Sequence, residues 1–238
     1  IADNNSLIQE PFYGHISSLL LDAEGDFLIE NTIISNSTTY DEDSYTLGLY
    51  NGGGTDLTIT MNNCLITGNN NTGDNVISVG TNNDGLIEMN NCTIADNTAS
   101  LVTILGLGNL TLRNTIMHNN TDYEVYMVNE SPWGHIYELD VENCNIKNGL
   151  DGIYNQGNAN IINWGTENIY EDPLFDSTNE YPYILQEASV CIDSGTPDTT
   201  GLYLPPWDLL NHERVFDGDE DGIAIIDMGA YEYNPYNN

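Results

Sequence analysis

Basic residues are nearly absent from this chain, which has 3 Lys and Arg residues against 37 Asp and Glu residues. The resulting formal net charge of -34 at pH 7 repels nucleic acids and anionic membranes, so neither is expected as a partner. Self-repulsion of this size must be spread over a long surface, screened by salt or neutralised by cations. An extracellular or bacterial cell-surface location suits such a composition.

Long apolar runs are missing too. The longest, such as "SLLL" at 18–21 and "ILGLG" at 104–108, fall far short of the ~20 residues that span a bilayer, so no direct membrane insertion is expected. Apolar residues alternate or form short clusters instead of recurring at helical spacing, and β-branched residues are abundant. This pattern indicates short β-strands.

Motifs of known chemistry are absent as well. The sequence has no HExxH, no GxSxG and no glycine-rich phosphate loop, and no Cys or His spacing typical of zinc. The four histidines, His15, His118, His135 and His212, are isolated in the sequence. We expect His118 to be exposed to solvent.

The chain does contain a ten-residue sequence motif that occurs five times. "MNNCTIADNT" at 89–98 has equivalents that begin at Ile29, Met61, Leu112 and Val141. Aligned on a shared Asn, the copies are 32, 28, 23 and 29 residues apart. A β-type repeat of this length predicts a solenoid of stacked coils.

Two columns of asparagine mark the corners of these coils. Asn tolerates the left-handed backbone of a corner and can hydrogen-bond to its equivalent in the next coil. The first column is Asn31, Asn63, Asn91, Asn114 and Asn143; the second is Ser37, Asn69, Asn97, Asn120 and Gly149, with Asn4 as its member in an incomplete first coil.

Two further columns between the asparagines are expected to face inward. They are Thr32, Cys64, Cys92, Thr115 and Cys144, and Ile34, Ile66, Ile94, Met117 and Ile146. The exchange of Thr and Cys at one position predicts buried free thiols. A disulfide between Cys64 and Cys92, in adjacent coils, is the alternative.

The repeats predict an all-β fold, a parallel β-helix of about six three-strand coils over residues 1–168. "IADNNS" at 1–6 matches "IADNTA" at 94–99, so the first coil is expected to be truncated and preceded by others. Residues 169–233 break the repeat and are predicted to form an irregular capping region packed on the helix, because an open solenoid end invites edge pairing. Residues 234–238 are interpreted as the start of a linker.

The N-T-I and N-C-T-I corners resemble the PbH1 repeats of right-handed parallel β-helix proteins in the pectin-lyase-like superfamily. The tail, with "DPLF" at 172–175, "YILQEASVCIDSG" at 183–195, "HERVFDGDEDG" at 212–222 and "IDMGAYEY" at 226–233, is similar to the choice-of-anchor regions of bacterial surface proteins. The resemblance implies the fold and a surface location. It implies little about activity, because one fold hosts many functions.

In lyases of this superfamily, acidic residues hold Ca²⁺, which acidifies a uronate proton that an Arg or Lys removes. Arg113 and Lys147 lie at different phases of different coils, so they are not expected to converge. Arg214 stands where the similar tails have an Arg, and a structural role is expected for it. We therefore assign no catalytic role to Arg113, Lys147 or Arg214.

Glycoside hydrolysis requires two neighbouring carboxyl groups. The best loop positions for them are "YDEDSY" at 40–45 and the group Asp122, Glu124 and Glu130. With 37 acidic residues in the chain, such pairs are too common to identify an enzyme.

A calcium loop is the strongest candidate site in the sequence. "DGDEDGIAIID" at 217–227 alternates carboxylates around a glycine turn, which offers Asp217, Asp219, Asp221, the carbonyl of Ile223 and Asp227 as ligands. The twelfth position is Met228 where a calcium loop has Glu. The alternative is an acidic turn whose Asp side chains accept backbone N–H groups.

These observations favour a noncatalytic, secreted or cell-surface β-helix module of a larger bacterial protein, with an adhesive, structural or carbohydrate-contacting role. Its partners would be a polysaccharide or another surface protein. Tyrosines near the third strand of each coil could stack on sugar rings: Tyr45, Tyr50, Tyr123, Tyr126 and Tyr154. The alternatives are a Ca²⁺-dependent polysaccharide lyase or a glycoside hydrolase, and a self-associating filament subunit.

Overall fold

The computed structural model describes residues 19–23, 26–39, 45–51, 58–81, 85–106, 109–128, 136–158, 160–178 and 180–236. His15, His135, Glu130 and residues 40–44 of the acidic loop lie outside these ranges, as does the side chain of Tyr50. In the described part of the chain no helix is long and apolar enough to cross a membrane.

Short strands build three parallel sheets. The seven-stranded sheet contains β1 Leu19–Ala23, β4 Thr38–Thr39, β5 Leu47–Asn51, β8 Asn70–Thr81, β11 Thr98–Gly106, β14 Val125–Met127 and β17 Ile153–Asn155. The six-stranded sheet contains β2 Phe27–Glu30, β6 Thr58–Asn62, β9 Leu86–Asn90, β12 Asn109–Arg113, β15 Glu138–Glu142 and β18 Ile161–Trp164. The five-stranded sheet contains β3 Ile33–Ser35, β7 Leu65–Thr67, β10 Thr93–Ala95, β13 Ile116–His118 and β16 Asn145–Ile146.

Strand order confirms the predicted solenoid. Each sheet pairs a strand with its equivalent one coil later, as in the series β2, β6, β9, β12, β15 and β18. The described strands form five complete coils, with β1 and β18 as single strands of further coils. This corrects the expected number of about six. Two 3-10 turns, Gly149–Gly152 and Gln156–Asn158, surround β17.

The first asparagine column forms left-handed corners, as predicted. Its φ angles are 49° at Asn31, Asn91, Asn114 and Asn143, and 56° at Asn63. In the second column, Asn69, Asn97 and Asn120 do not have positive φ, and the left-handed residue stands one place earlier: Asn36, Gly68, Asp96, Asn119 and Asn148. The second-column side chains turn inward instead, and those three asparagines are buried.

The core consists of the columns that the repeat places inside. Cys64, Cys92, Thr115 and Cys144 are buried, with Ile66, Ile94, Met117 and Ile146 beside them, and Ile34 is partly buried. All four cysteines are free thiols, so the alternative disulfide between Cys64 and Cys92 is not formed. Burial raises the pKa of the Cys144 thiol to about 12, which leaves it unreactive at neutral pH.

Residues 169–233, here called the flanking segment, lie against the outer face of the five-stranded sheet. Ile116 joins a cluster with Leu185, Cys191 and Met228, and Leu65 joins another with Ile184, Ala230 and Tyr231. Gly229, with φ 96°, is required at the closest approach, because an added Cβ would lie 2.8 Å from Thr93 Oγ1 and 2.9 Å from Ile116 Cδ1. These contacts run along the side of the solenoid, and at its end Ile169 forms a parallel bridge with Asn145 on β16, the terminal strand of the five-stranded sheet.

Candidate functional site

The corner asparagines hold the flanking segment in place. Asn63 donates to Asn31 Oδ1 at 2.5 Å and Asn114 donates to Asn91 Oδ1 at 3.1 Å. Between Asn63 and Asn91 the flanking segment supplies the partners: the Arg214 guanidinium donates to Asn63 Oδ1, and Asn91 donates to the carbonyl of Asp227 at 2.9 Å. This corner column is therefore a docking surface inside the molecule.

Arg214 has the structural role predicted for it. Its guanidinium contacts Glu232 Oε2 and the carbonyl of Gly229, both at 3.2 Å, and the whole residue is 3% exposed. Desolvation and the nearby Asp227 raise the pKa of Glu232, although Arg214 opposes this shift. Asp227 is buried and accepts N–H groups from Asp193 at 2.8 Å and Tyr233 at 2.6 Å, so it belongs to this internal network.

Only part of the predicted calcium loop converges. Carboxylate oxygens of Asp217 and Asp219 lie within 4.8 Å of each other and of Asp193, which sequence reasoning did not select. Asp221 Oδ1 instead accepts the N–H of Ile223 at 2.8 Å. Asp217 Oδ1 is buried without a hydrogen-bond partner among the described residues, and three carboxylates are hard ligands, so this donor set fits Ca²⁺.

Three of the predicted tyrosines, Tyr123, Tyr126 and Tyr154, pack against one another. Tyr126 and Tyr154 occupy equivalent positions on β14 and β17, with ring centroids 4.5 Å apart and planes inclined by 22°. Tyr123 covers Tyr154 at 5.2 Å. Because Tyr126 and Tyr154 turn a ring face toward each other, those two faces are not open to a sugar. Tyr45 lies over Gly48, where an added Cβ would meet its ring at 2.4 Å.

Among the described residues, the remaining acid and base candidates do not come together. Asp122 is exposed, whereas Glu124 is buried beside Asn120. Lys147 donates to Asn119 Oδ1 at 2.8 Å. The expectation that His118 is solvent-exposed is wrong, since this residue at the end of β13 is only 9% exposed and burial lowers its pKa.

Arg113 lies in a site that the sequence analysis did not predict. On β12 it lies between two neighbouring strands, with Nη1 2.8 Å from Glu88 Oε1 and Nε 2.9 Å from Glu142 Oε2. The register places Glu142 directly opposite Arg113. The pairing of Arg113 with Glu142 could have been predicted from the alignment of the repeats, because each of the two residues directly precedes a corner Asn.

A cavity of about 330 Å³ surrounds this ion-paired arginine. One wall is the outer face of the six-stranded sheet, and the other is part of the flanking segment, fixed where Thr196 N–H donates to Asn114 Oδ1 at 2.8 Å. Polar groups dominate its lining: Glu88, Arg113, Asn114, Glu142, Asn143, Thr196, Asp198, Thr200, Gly201 and Leu202. We call it the Arg113 cavity.

The charges of the Arg113 cavity limit its chemistry. Burial lowers the pKa of Arg113, but hydrogen bonds from its guanidinium to Glu88 and Glu142 outweigh that effect, and the net shift is upward. Arg113 is thus a poor proton acceptor. Asp198 adds a third carboxylate against the one guanidinium, so the cavity is negative overall.

Residues 17–181 match the model of a protein family described as the right-handed β-helix region. This chain belongs to the right-handed β-helix family. The match covers more than half of the sequence and supports the handedness that the resemblance implied. Comparison of this β-helix protein with curated proteins and with solved structures gave no significant match. The likeness of its tail to choice-of-anchor regions stays a prediction.

Proposed function

We propose that this β-helix protein is a noncatalytic, secreted or cell-surface module that binds a neutral polysaccharide in the Arg113 cavity. The observation that carries the proposal is the pairing of Arg113 with Glu88 and Glu142 inside a polar cavity. This arrangement presents fixed donors and acceptors while neutralising the only cationic group there.

Sugar hydroxyl groups both donate and accept hydrogen bonds, and the cavity lining offers both kinds of partner. Carboxylates accept, the amide of Asn143 does both, and the hydroxyls of Thr196 and Thr200 do both. A uronate would bring a further negative charge to a cavity with three carboxylates and one guanidinium. The charge balance therefore favours a neutral glycan.

Catalysis is not favoured by the same contacts. A lyase needs a group that accepts the C5 proton, and the pKa of Arg113 is shifted upward, away from that role. A glycosidase needs a carboxylic acid that can donate a proton. Glu88 and Glu142 both accept hydrogen bonds from the same guanidinium, which leaves neither of them placed as a donor.

An aromatic edge adjoins the cavity. Leu202 lines the cavity, and the next residue, Tyr203, is 85% exposed, while Trp207 is 51% exposed. Their backbone is held firmly, because Asn62 donates to the carbonyl of Tyr203 at 3.2 Å and Asn63 donates to that of Trp207 at 3.3 Å. Aromatic rings on a fixed backbone can cover the apolar face of a sugar at low cost in conformational entropy.

Binding to immobilised neutral glycans and to polyuronates tests the proposal. We expect retention by a neutral glycan and weaker retention by a uronate. Thr200→Trp should fill the cavity and weaken binding at least about tenfold. Thr178→Trp is the matched control, because both threonines are exposed and both donate their N–H to the Asp two residues before.

Three outcomes would contradict the proposal. One is a wild-type protein that no neutral glycan retains, and another is equal binding by the Thr200→Trp variant. The third is release of unsaturated or reducing sugars from the bound glycan, which would show that the module is catalytic.

A further inference from the structure

The second asparagine column forms a continuous hydrogen-bonded ladder. Asn97 Oδ1 accepts the backbone N–H of Asn69 at 3.0 Å and its side-chain N–H at 2.9 Å. Asn120 Oδ1 accepts the same two groups of Asn97 at 3.1 and 2.9 Å. Each rung thus consists of one oxygen that satisfies two donors of the preceding coil.

The column has Gly149, and therefore no side-chain amide, in the next coil. The Glu124 carboxylate fills that place: it accepts the side-chain N–H of Asn120 at 2.5 Å and also the backbone N–H of Asn120. These are the two donors that a further asparagine would have satisfied.

Glu124 is also tied to the last complete coil. Its own N–H donates to the carbonyl of Gly152 at 2.9 Å, and its residue is 2% exposed. Glycine is required at 152 because an added Cβ would lie 2.2 Å from the carbonyl oxygen of Lys147, and the same Cβ position is 3.6 Å from Glu124 Cγ, which shows how closely the fifth coil covers this side chain. The side chain of Glu124 is therefore enclosed between the fourth and fifth coils.

We infer that Glu124 completes the asparagine ladder in place of a missing amide, and that this makes the attachment of the last complete coil sensitive to pH. A neutral carboxylic acid fits the end of a buried ladder. A carboxylate at the same position keeps its hydrogen bonds but places a charge away from water, which destabilises the junction.

The electrostatic surroundings agree with this inference. Burial raises the pKa of Glu124 from its ordinary 4.5 to about 7, and the two bonds from Asn120 offset only part of that shift. Of the nearby charges, Lys147 after β16 lowers the pKa and Asp96 after β10 raises it. Because the folded-state pKa is raised, the contribution to stability is complete below about pH 4.5 and is lost as pH rises through about 7.

Hydrogen exchange at residues 121–128 and 149–155, compared between pH 5 and pH 8, tests the inference. Protection factors in the wild-type protein should fall at least about tenfold over this range. Glu124→Gln should remove the fall, because a Gln Oε1 can accept both Asn120 donors as an Asn Oδ1 does. The exposed Glu187→Gln is the control and should keep the wild-type slope.

Equal protection at both pH values in the wild-type protein would overturn the inference, as would an unchanged slope in Glu124→Gln. If that variant does not fold, NMR titration of the Glu124 carboxyl carbon in the wild-type protein decides the matter. A midpoint near 7 supports the inference, and a midpoint near the ordinary value of 4.5 refutes it.

Discussion

Arg214 and Glu232 form an ion pair with 3.2 Å between Nη1 and Oε2, and both residues are almost completely withdrawn from water. The same guanidinium reaches Asn63 on a corner of the solenoid. This one side chain therefore compensates a buried carboxylate and fastens the flanking segment to the coils. Removing the Arg214 side chain should therefore disturb both the charge balance at Glu232 and the attachment of the flanking segment.

Arg214→Met should lower the free energy of unfolding by about 3–5 kcal/mol, because it leaves the Glu232 carboxylate buried without a counter-charge. Urea unfolding followed by tryptophan fluorescence measures the change. Arg113→Met is the matched control, since its ion pairs are partly exposed and should contribute less than about 1 kcal/mol. Equal losses in the two variants would show that burial does not distinguish these arginines.

Asn97→Ala should cost about 2–4 kcal/mol, because the lost amide leaves buried donors of Asn69 and the carbonyl of Ile66 without partners. Asn70→Ala, at an exposed position in the same region, should change stability by less than about 0.5 kcal/mol. Thermal or urea unfolding of both variants provides the comparison. A small effect at Asn97 would mean that water replaces the ladder without cost.

Added Ca²⁺ should raise the melting temperature, and EDTA should reverse the rise, if Asp193, Asp217 and Asp219 share an ion. Asp217→Asn should abolish the response, whereas Asp198→Asn, which changes an exposed carboxylate elsewhere in the flanking segment, should retain it. Scanning calorimetry with and without the metal checks this expectation. A melting temperature indifferent to both additions excludes a structural calcium at these residues.

Tyr203→Ala should weaken binding of long neutral oligosaccharides at least about threefold and leave binding of mono- and disaccharides unchanged. The reason is position: the Asn62 that anchors Tyr203 lies on β6, one strand spacing of ~4.8 Å beyond the cavity wall on β9. Calorimetric titration with a ladder of oligosaccharide lengths measures the difference. Tyr236→Ala, an exposed tyrosine outside the flanking segment, is the control.

The sequence was sufficient to predict what repeats. A recurring Asn with Thr or Cys beside it fixes the phase of every coil, so the corners at Asn63 and Asn91 and the buried Cys64 and Cys92 could be predicted. The predicted left-handed position at Asn97 was wrong by one residue. Asp96 has the positive φ angle, while the side chain of Asn97 turns inward and donates to the carbonyl of Ile66.

Sites that depend on the non-repeating segment were not predictable in the same way. Asp193 joins Asp217 and Asp219 only because the chain folds back on itself, and no spacing rule relates these positions. Glu88 and Arg113 are 25 residues apart, and their contact follows from coil register. Tyr123, Tyr126 and Tyr154 were selected for their place near the third strand, but the sequence does not specify that their rings pack against one another.

The contacts of the flanking segment span many coils, and they change how such a molecule should unfold. A solenoid normally behaves as a one-dimensional stack in which each coil depends only on its neighbours. Here Leu202 meets Asn62 across 140 residues, Asp227 meets Asn91 across 136 and Thr196 meets Asn114 across 82. Loss of an inner coil therefore also breaks hydrogen bonds to the flanking segment, and we expect a single cooperative unfolding transition. During synthesis, folding should be complete only after residues 196–227 have left the ribosome.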